Sequence, residues 1–121
     1  MPVKKILIVD DSASDRHFLS ESLVRHGYHC ITAVSGAEAV VKSKTERPDL
    51  ILMDVVMPGT NGFEATRAIT RDEATRNIPV IICTAKDGST DRLWGLRQGA
   101  RDYVFKPIDV DSLVAKIAAL G

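Results

Sequence analysis

The chain has 121 residues, 45% of them hydrophobic and 26% charged, which excludes a disordered polypeptide and suits one folded unit with a real core. Lys+Arg and Asp+Glu balance at 16 each, so no basic excess points to nucleic acid or an anionic membrane surface. The apolar runs are strand-sized, far below the roughly 20 residues that span a bilayer, and "MPVKK" followed by "ILIV" lacks the pattern of a secretory signal.

In chain order, "KILIVDD" (5–11) is a strand apolar on both faces that ends on two acids. Ser12, with Asp15 three residues on, has the spacing of a capping box and opens a first helix. His17, His26 and His29 lie on that helix and its exit with no partner at ligand spacing, and are expected at the surface or half-buried. "HCITAV" (29–34) is a weaker, partly alternating strand, and Ser35 with Glu38 caps the second helix. "LILMD" (50–54) runs straight from four apolar residues into Asp54, and Met57-Pro58-Gly59 breaks the chain just after it. Asn61 with Glu64 starts a third helix, whose charged end "TRDEATRN" (70–77) is expected to be solvated.

"PVIICTA" (79–85) is a second strand apolar on both faces, ending in Thr84-Ala85. A fourth helix follows, with Leu93, Leu96 and Ala100 as its core stripe. "DYVFKP" (102–107) is the fifth strand, ending in Lys106-Pro107, and Asp109 caps a last helix, "VDSLVAKIAAL". Gly27, Gly62 and Gly99 stand at helix margins or turns, where positive φ is cheap for glycine. Cys30 and Cys83 have neither metal-type nor redox-type spacing and read as reduced thiols filling the core of a cytoplasmic protein. Five strand–helix units with short connections predict an α/β fold, a parallel sheet doubly wound by five helices. With no linker, repeat or low-complexity tract, residues 1–121 are expected to form a single domain.

In such a sheet the carboxyl ends of all strands share one edge, and ligands bind there. Asp10-Asp11 end strand one, Asp54 ends strand three, Thr84-Ala85 strand four and Lys106 strand five. Each has a plain structural reading on its own: an acid at a strand end faces water, an Asp-Asp pair caps a helix, a Lys-Pro pair makes a turn. Their joint placement on one rim favours chemistry. Three clustered carboxylates repel one another, and a hard, oxygen-seeking cation such as Mg²⁺ relieves the repulsion. The Lys106 ammonium, the Thr84 hydroxyl and the Ala85 N–H would balance the oxygens of a phosphoryl group in transfer, for which positioning and charge are nearly the whole of catalysis. The attacking atom would be a carboxylate oxygen of Asp54, on the central strand.

"ILIVDDS", "DLILMDVVMPGTNGFEATR", "IPVIICTA" and "GARDYVFKP" closely resemble the receiver domains of bacterial response regulators of the chemotaxis CheY type, over essentially the whole chain. The resemblance implies a flavodoxin-like sheet in the order 2-1-3-4-5. It implies Asp54 as phospho-acceptor, Asp10 and Asp11 as metal-site acids with Asp54, and the Val56 carbonyl as a backbone Mg²⁺ ligand. Thr84 and Lys106 would sense the phosphoryl group, Tyr103 would be the switch aromatic, and the Lys106–Pro107 bond would be cis. A narrower resemblance, carried by "DRLWGLRQGARDY" and "VVMPGTNGFEATR", is to the stand-alone PilH-like regulators of type IV pilus twitching motility.

The implied function is a phosphorylation-driven switch. A histidine kinase donates to Asp54, and the surface made by the fourth helix, fifth strand and fifth helix changes for a downstream protein target. The switch is expected to be a monomer. Trp94 lies one step off its helix stripe, where it either anchors a partner or packs on a neighbouring helix. Val56 lacks a polar side chain for an attacking water and Lys86 adds a cation near the site, so both could tune dephosphorylation. The alternatives are a phosphate sink that drains a shared kinase, a small-molecule aspartyl-phosphate phosphohydrolase and a flavin-binding protein. The phosphohydrolase would want an Asp where Val56 stands; the flavoprotein would want a phosphate loop where "DDSAS" is acidic.

Overall fold

The computed structural model describes residues 2–55, 62–84 and 98–120, with Thr84 described through its backbone alone. Five strands form one sheet: β1 (Lys5–Val9), β2 (His29–Ala33), β3 (Leu50–Asp54), β4 (Val80–Thr84) and β5 (Asp102–Phe105). All neighbours pair in parallel and the order is β2-β1-β3-β4-β5, as the sequence implied. The described residues contain four helices: α1 (Ala13–Arg25), α2 (Gly36–Thr45), α3 (Gly62–Arg71) and α4 (Val110–Leu120). The helix expected between β4 and β5, with Trp94, falls mostly outside the described residues. No helix among those described is long and apolar enough to cross a membrane.

The alternation of side chains along each strand sorts the core into two layers. Leu7, Val9, Ile51, Met53, Val80 and Ile82 pack with Ala39 of α2 and Ala65 and Ile69 of α3. Ile6, Ile8, Leu50, Leu52, Ile81, Cys83 and Val104 pack with Leu19 and Leu23 of α1 and Leu113 and Ile117 of α4. Both faces of β1, β3 and β4 are covered, which is why these strands read as unbroken apolar runs. β2 and β5 are the sheet edges and are less buried.

Three of the four predicted caps form, and the fourth, at Asn61, lies outside the described residues. Ser12 Oγ accepts from the Asp15 N–H and Ser35 Oγ from the Glu38 N–H. Asp109 Oδ1 accepts from the Asp111 N–H at 3.1 Å. Gly27 and Gly99 have φ of 93° and 101°. Gly62 differs: its need is for space, because a Cβ there would lie 2.7 Å from Val55 Cα and 2.8 Å from the Asp54 carbonyl carbon. The first turn of α3 thus rests directly on the end of β3.

The segment 70–77 is more than a solvated end. Thr75 is buried and donates to the Ile69 carbonyl at 2.6 Å, while Asp72 pairs with Lys44 at 2.9 Å. A charged composition hid this anchor, because the one buried residue in the segment is a threonine whose hydroxyl finds a backbone partner. The three histidines are exposed. Cys83 is buried, and Cys30 is half-buried on edge strand β2.

Candidate functional site

The same alternation aims the site. Ile6, Ile8 and the next even position, Asp10, share one parity on β1; Leu50, Leu52 and Asp54 share it on β3; Val104 and Lys106 share it on β5. All three side chains therefore leave the strand ends on the face covered by α1 and α4, where they meet. Asp10 and Asp54 are 2% and 5% exposed, whereas Asp11 is exposed. Carboxylate oxygens of Asp10, Asp11 and Asp54 all lie within 4.8 Å of one another. Lys106 Nζ lies 2.7 Å from Asp10 Oδ2 and 3.9 Å from Asp54 Oδ1. The Lys106–Pro107 peptide bond is cis, as expected.

The loop after β1 is held from several sides. The Asp10 N–H donates to the Ala33 carbonyl at 3.1 Å, tying the end of β1 to β2. Asp10 Oδ1 accepts from the Ser12 N–H at 2.9 Å, and the Asp10 carbonyl accepts from Arg16 Nη1 at 2.7 Å. One carboxylate oxygen thus orders the backbone while the other receives the ammonium.

Burial works against the Lys106 ammonium, but its hydrogen bonds to Asp10 and Asp15 and the charges of Asp54 and Asp10 outweigh that cost, and its pKa stands above the ordinary 10.5. Lys106 is therefore cationic across the physiological range. On the neighbouring strand, burial pushes the Cys83 thiol up to about 12, with the Lys106 charge opposing the rise and those of Asp54 and Asp10 adding to it. Cys83 is an inert core filler.

An all-oxygen donor set of three carboxylates fits a hard divalent cation, which would also relieve their mutual repulsion. Among the predicted site residues, the structure brings together Asp10, Asp11, Asp54 and Lys106. Thr84 ends β4 opposite Phe105, with its side chain outside the described residues. Val56, Ala85, Lys86 and Trp94 lie outside them as well. Tyr103 is half-buried against the α2–α3 layer and meets Phe105 edge to face, ring centroids 4.9 Å apart at 77°. It lies on the opposite sheet face from Lys106, three residues away in sequence.

Two participants were not singled out from sequence. Asp15, read as part of a helix cap, also has a carboxylate oxygen 3.1 Å from Lys106 Nζ. Arg16 braces the Asp10 carbonyl. The available signal was their place in the first turn of α1, directly above the loop that carries the acids.

Residues 6–118 match the response regulator receiver domain family. The chain is 50% identical over 116 residues to protein PilH of Pseudomonas aeruginosa, covering 96% of both. Further curated relatives at 40–42% identity are longer, and the chain spans 26–51% of them. Its structure is similar to that of the Vibrio cholerae chemotaxis protein CheY4, with a TM-score of 0.91 at 31% identity over 98% of this chain and 99% of that one. It is also similar to the receiver domain of the sensor histidine kinase PA1611 from Pseudomonas aeruginosa, solved with a magnesium ion in its active site cleft. That match has a TM-score of 0.87 at 32% identity and covers 95% of this chain and 94% of the other. Fold, rim chemistry and sequence agree, and the chain belongs to the response regulator receiver domain family.

Proposed function

We propose that residues 1–121 act as a single receiver domain in which Asp54 accepts a phosphoryl group from a phosphohistidine of a partner kinase. One observation carries this reading: a lysine ammonium and two further carboxylates converge on a nearly buried carboxylate at the end of the central strand. In the transfer, an Asp54 carboxylate oxygen forms the new bond to phosphorus as the phosphorus–nitrogen bond of the donor breaks. The bonding pair leaves with the histidine nitrogen, which then takes up a proton. Lys106 keeps its proton throughout and sets its charge against the phosphoryl oxygens. Asp10, Asp11 and Asp54, with the Val56 carbonyl, would hold Mg²⁺, which supplies positive charge beside the same oxygens. Thr84 and the Ala85 N–H complete the donor set.

The chain is a signalling protein rather than a conventional enzyme, so the adduct itself is the message. It adds close to two negative charges. Drawing Thr84 toward them would let the Tyr103 ring turn inward and change the surface of β5 and its flanking helices for a downstream protein. This is a shift between two populated arrangements. Similarity to PilH, together with the motif resemblance, supports a cytoplasmic, monomeric role in type IV pilus or chemotaxis-like signalling.

Intact mass after incubation with Mg²⁺ and acetyl phosphate tests the acceptor. One labile phosphoryl adduct is expected in the wild type and none in Asp54→Asn. An adduct that persists in the variant places the nucleophile elsewhere.

A further inference from the structure

Lys106 donates hydrogen bonds to two acids, and neither is the proposed acceptor. Its Nζ donates to Asp10 Oδ2 at 2.7 Å and to Asp15 Oδ2 at 3.1 Å, while Asp54 Oδ1 stands at 3.9 Å, beyond hydrogen-bond reach. The two restraints differ in kind. The Asp10 side chain is 3% exposed and cannot follow the ammonium, whereas that of Asp15 is 48% exposed. Asp15 lines a trough with Phe18, Leu19, Lys106, Pro107 and Ile108 that opens beside the site. Its backbone is fixed, because the Asp15 N–H donates to Ser12 Oγ at 3.3 Å and the next residue, Arg16, grips the Asp10 carbonyl.

We propose that Asp15 is a positioning residue that tethers Lys106 toward α1 in the unphosphorylated protein and so slows its engagement with the phosphoryl group. This rests on Asp54 being the acceptor. A phosphoryl oxygen at Asp54 needs the ammonium at hydrogen-bond distance. Closing that distance draws Nζ off the looser Asp15 contact. A contact stronger in the ground state than in the transition state raises the barrier. Because the pair is partly solvated, its effect is small: removal speeds transfer about two- to fivefold, the range set by an exposed ion pair. The sign is diagnostic. Structural damage at the start of α1 would slow the reaction, whereas loss of a tether speeds it.

The test is the initial rate of phosphorylation by acetyl phosphate in Mg²⁺, across donor concentrations, for the wild type, Asp15→Ala and Asp109→Asn. The Asp15→Ala change is also made in a Lys106→Ala background. Asp109→Asn removes one negative charge from the loop after β5 and keeps the Oδ1 that caps α4. It controls for simple attraction of an anionic donor. The tether predicts a faster rate at saturating donor in Asp15→Ala with an unchanged half-saturating concentration. It predicts no gain in Asp109→Asn, and none from Asp15→Ala once Lys106 is gone. An unchanged or slower rate in Asp15→Ala overturns it, as does an equal gain in Asp109→Asn or in the Lys106→Ala background. A wild type that forms no Asp54 adduct removes the acceptor reading and the tether with it. A normal adduct with an unaltered Asp15→Ala rate removes the tether alone.

Discussion

Replacing Lys106 with methionine keeps most of its packing and removes its charge from between Asp10 and Asp54. At an effective dielectric of about 20, unit charges at the observed 2.7 Å and 3.9 Å interact by about 6 and about 4 kcal/mol. Desolvating the ions offsets the larger part of that attraction, but the offset does not return when one partner is deleted, because the remaining carboxylates stay buried without that ammonium. A net loss of about 2–4 kcal/mol follows, at the lower side of the range for breaking a buried pair because Lys106 keeps some contact with water. Urea unfolding of Lys106→Met and wild type in EDTA measures it. Repeating the comparison in 10 mM Mg²⁺ adds a second condition. A divalent cation on the same carboxylates replaces the missing ammonium and binds more tightly where no lysine competes, so the gap narrows by up to about 1.4 kcal/mol for each tenfold gain in affinity. A loss below about 1 kcal/mol in EDTA, or a gap indifferent to Mg²⁺, would refute the view that lysine and metal answer the same buried charge.

Two further outcomes test the surroundings of the site. In Gly62→Ala the new methyl meets the Asp54–Val55 backbone, which cannot rotate aside as a side chain could. A destabilisation of about 1–3 kcal/mol by urea unfolding is expected, together with slower adduct formation on Asp54. A fully stable, fully active Gly62→Ala protein would show that this contact is idle. Alkaline pH probes Cys83. Its folded pKa of about 12 exceeds the ordinary 9.0, so the stability held by the neutral thiol is intact below pH 9 and is lost as pH rises from there toward 12. Between pH 8 and 10.5 in EDTA, the wild type should lose about 2 kcal/mol more than Cys83→Ala. Equal losses would place the thiol in contact with water.

What could be read from the chain, and what could not, divides along physical lines. Strands β1, β3 and β4 were legible because burial on both faces demands unbroken apolar runs, and an acid at the end of such a run is conspicuous. Ser12, Ser35 and Asp109 were legible because capping is local. The convergence of Asp10, Asp54 and Lys106 followed from knowing that parallel strands share one carboxyl edge. Asp15 escaped because its contact with Lys106 spans 91 residues, while its cap role, three residues from Ser12, already accounted for it. Gly62 was read for its torsional freedom, but a backbone approach from another element has no local signature. Thr75 was lost for a different reason: a charged segment masks one threonine whose hydroxyl turns back onto a carbonyl six residues earlier.

Asp54, the proposed acceptor, and Lys106 are not mounted alike. Asp54 ends a strand clamped between β1 and β4, whereas Lys106 follows a four-residue strand with a neighbour on one side only. A disturbance that begins at this pocket meets a stiff wall at the sheet centre and a compliant one at its margin. On the proposed reading, displacement would be channelled outward along β5, carrying news of the reaction to the periphery while the reacting oxygen stays put.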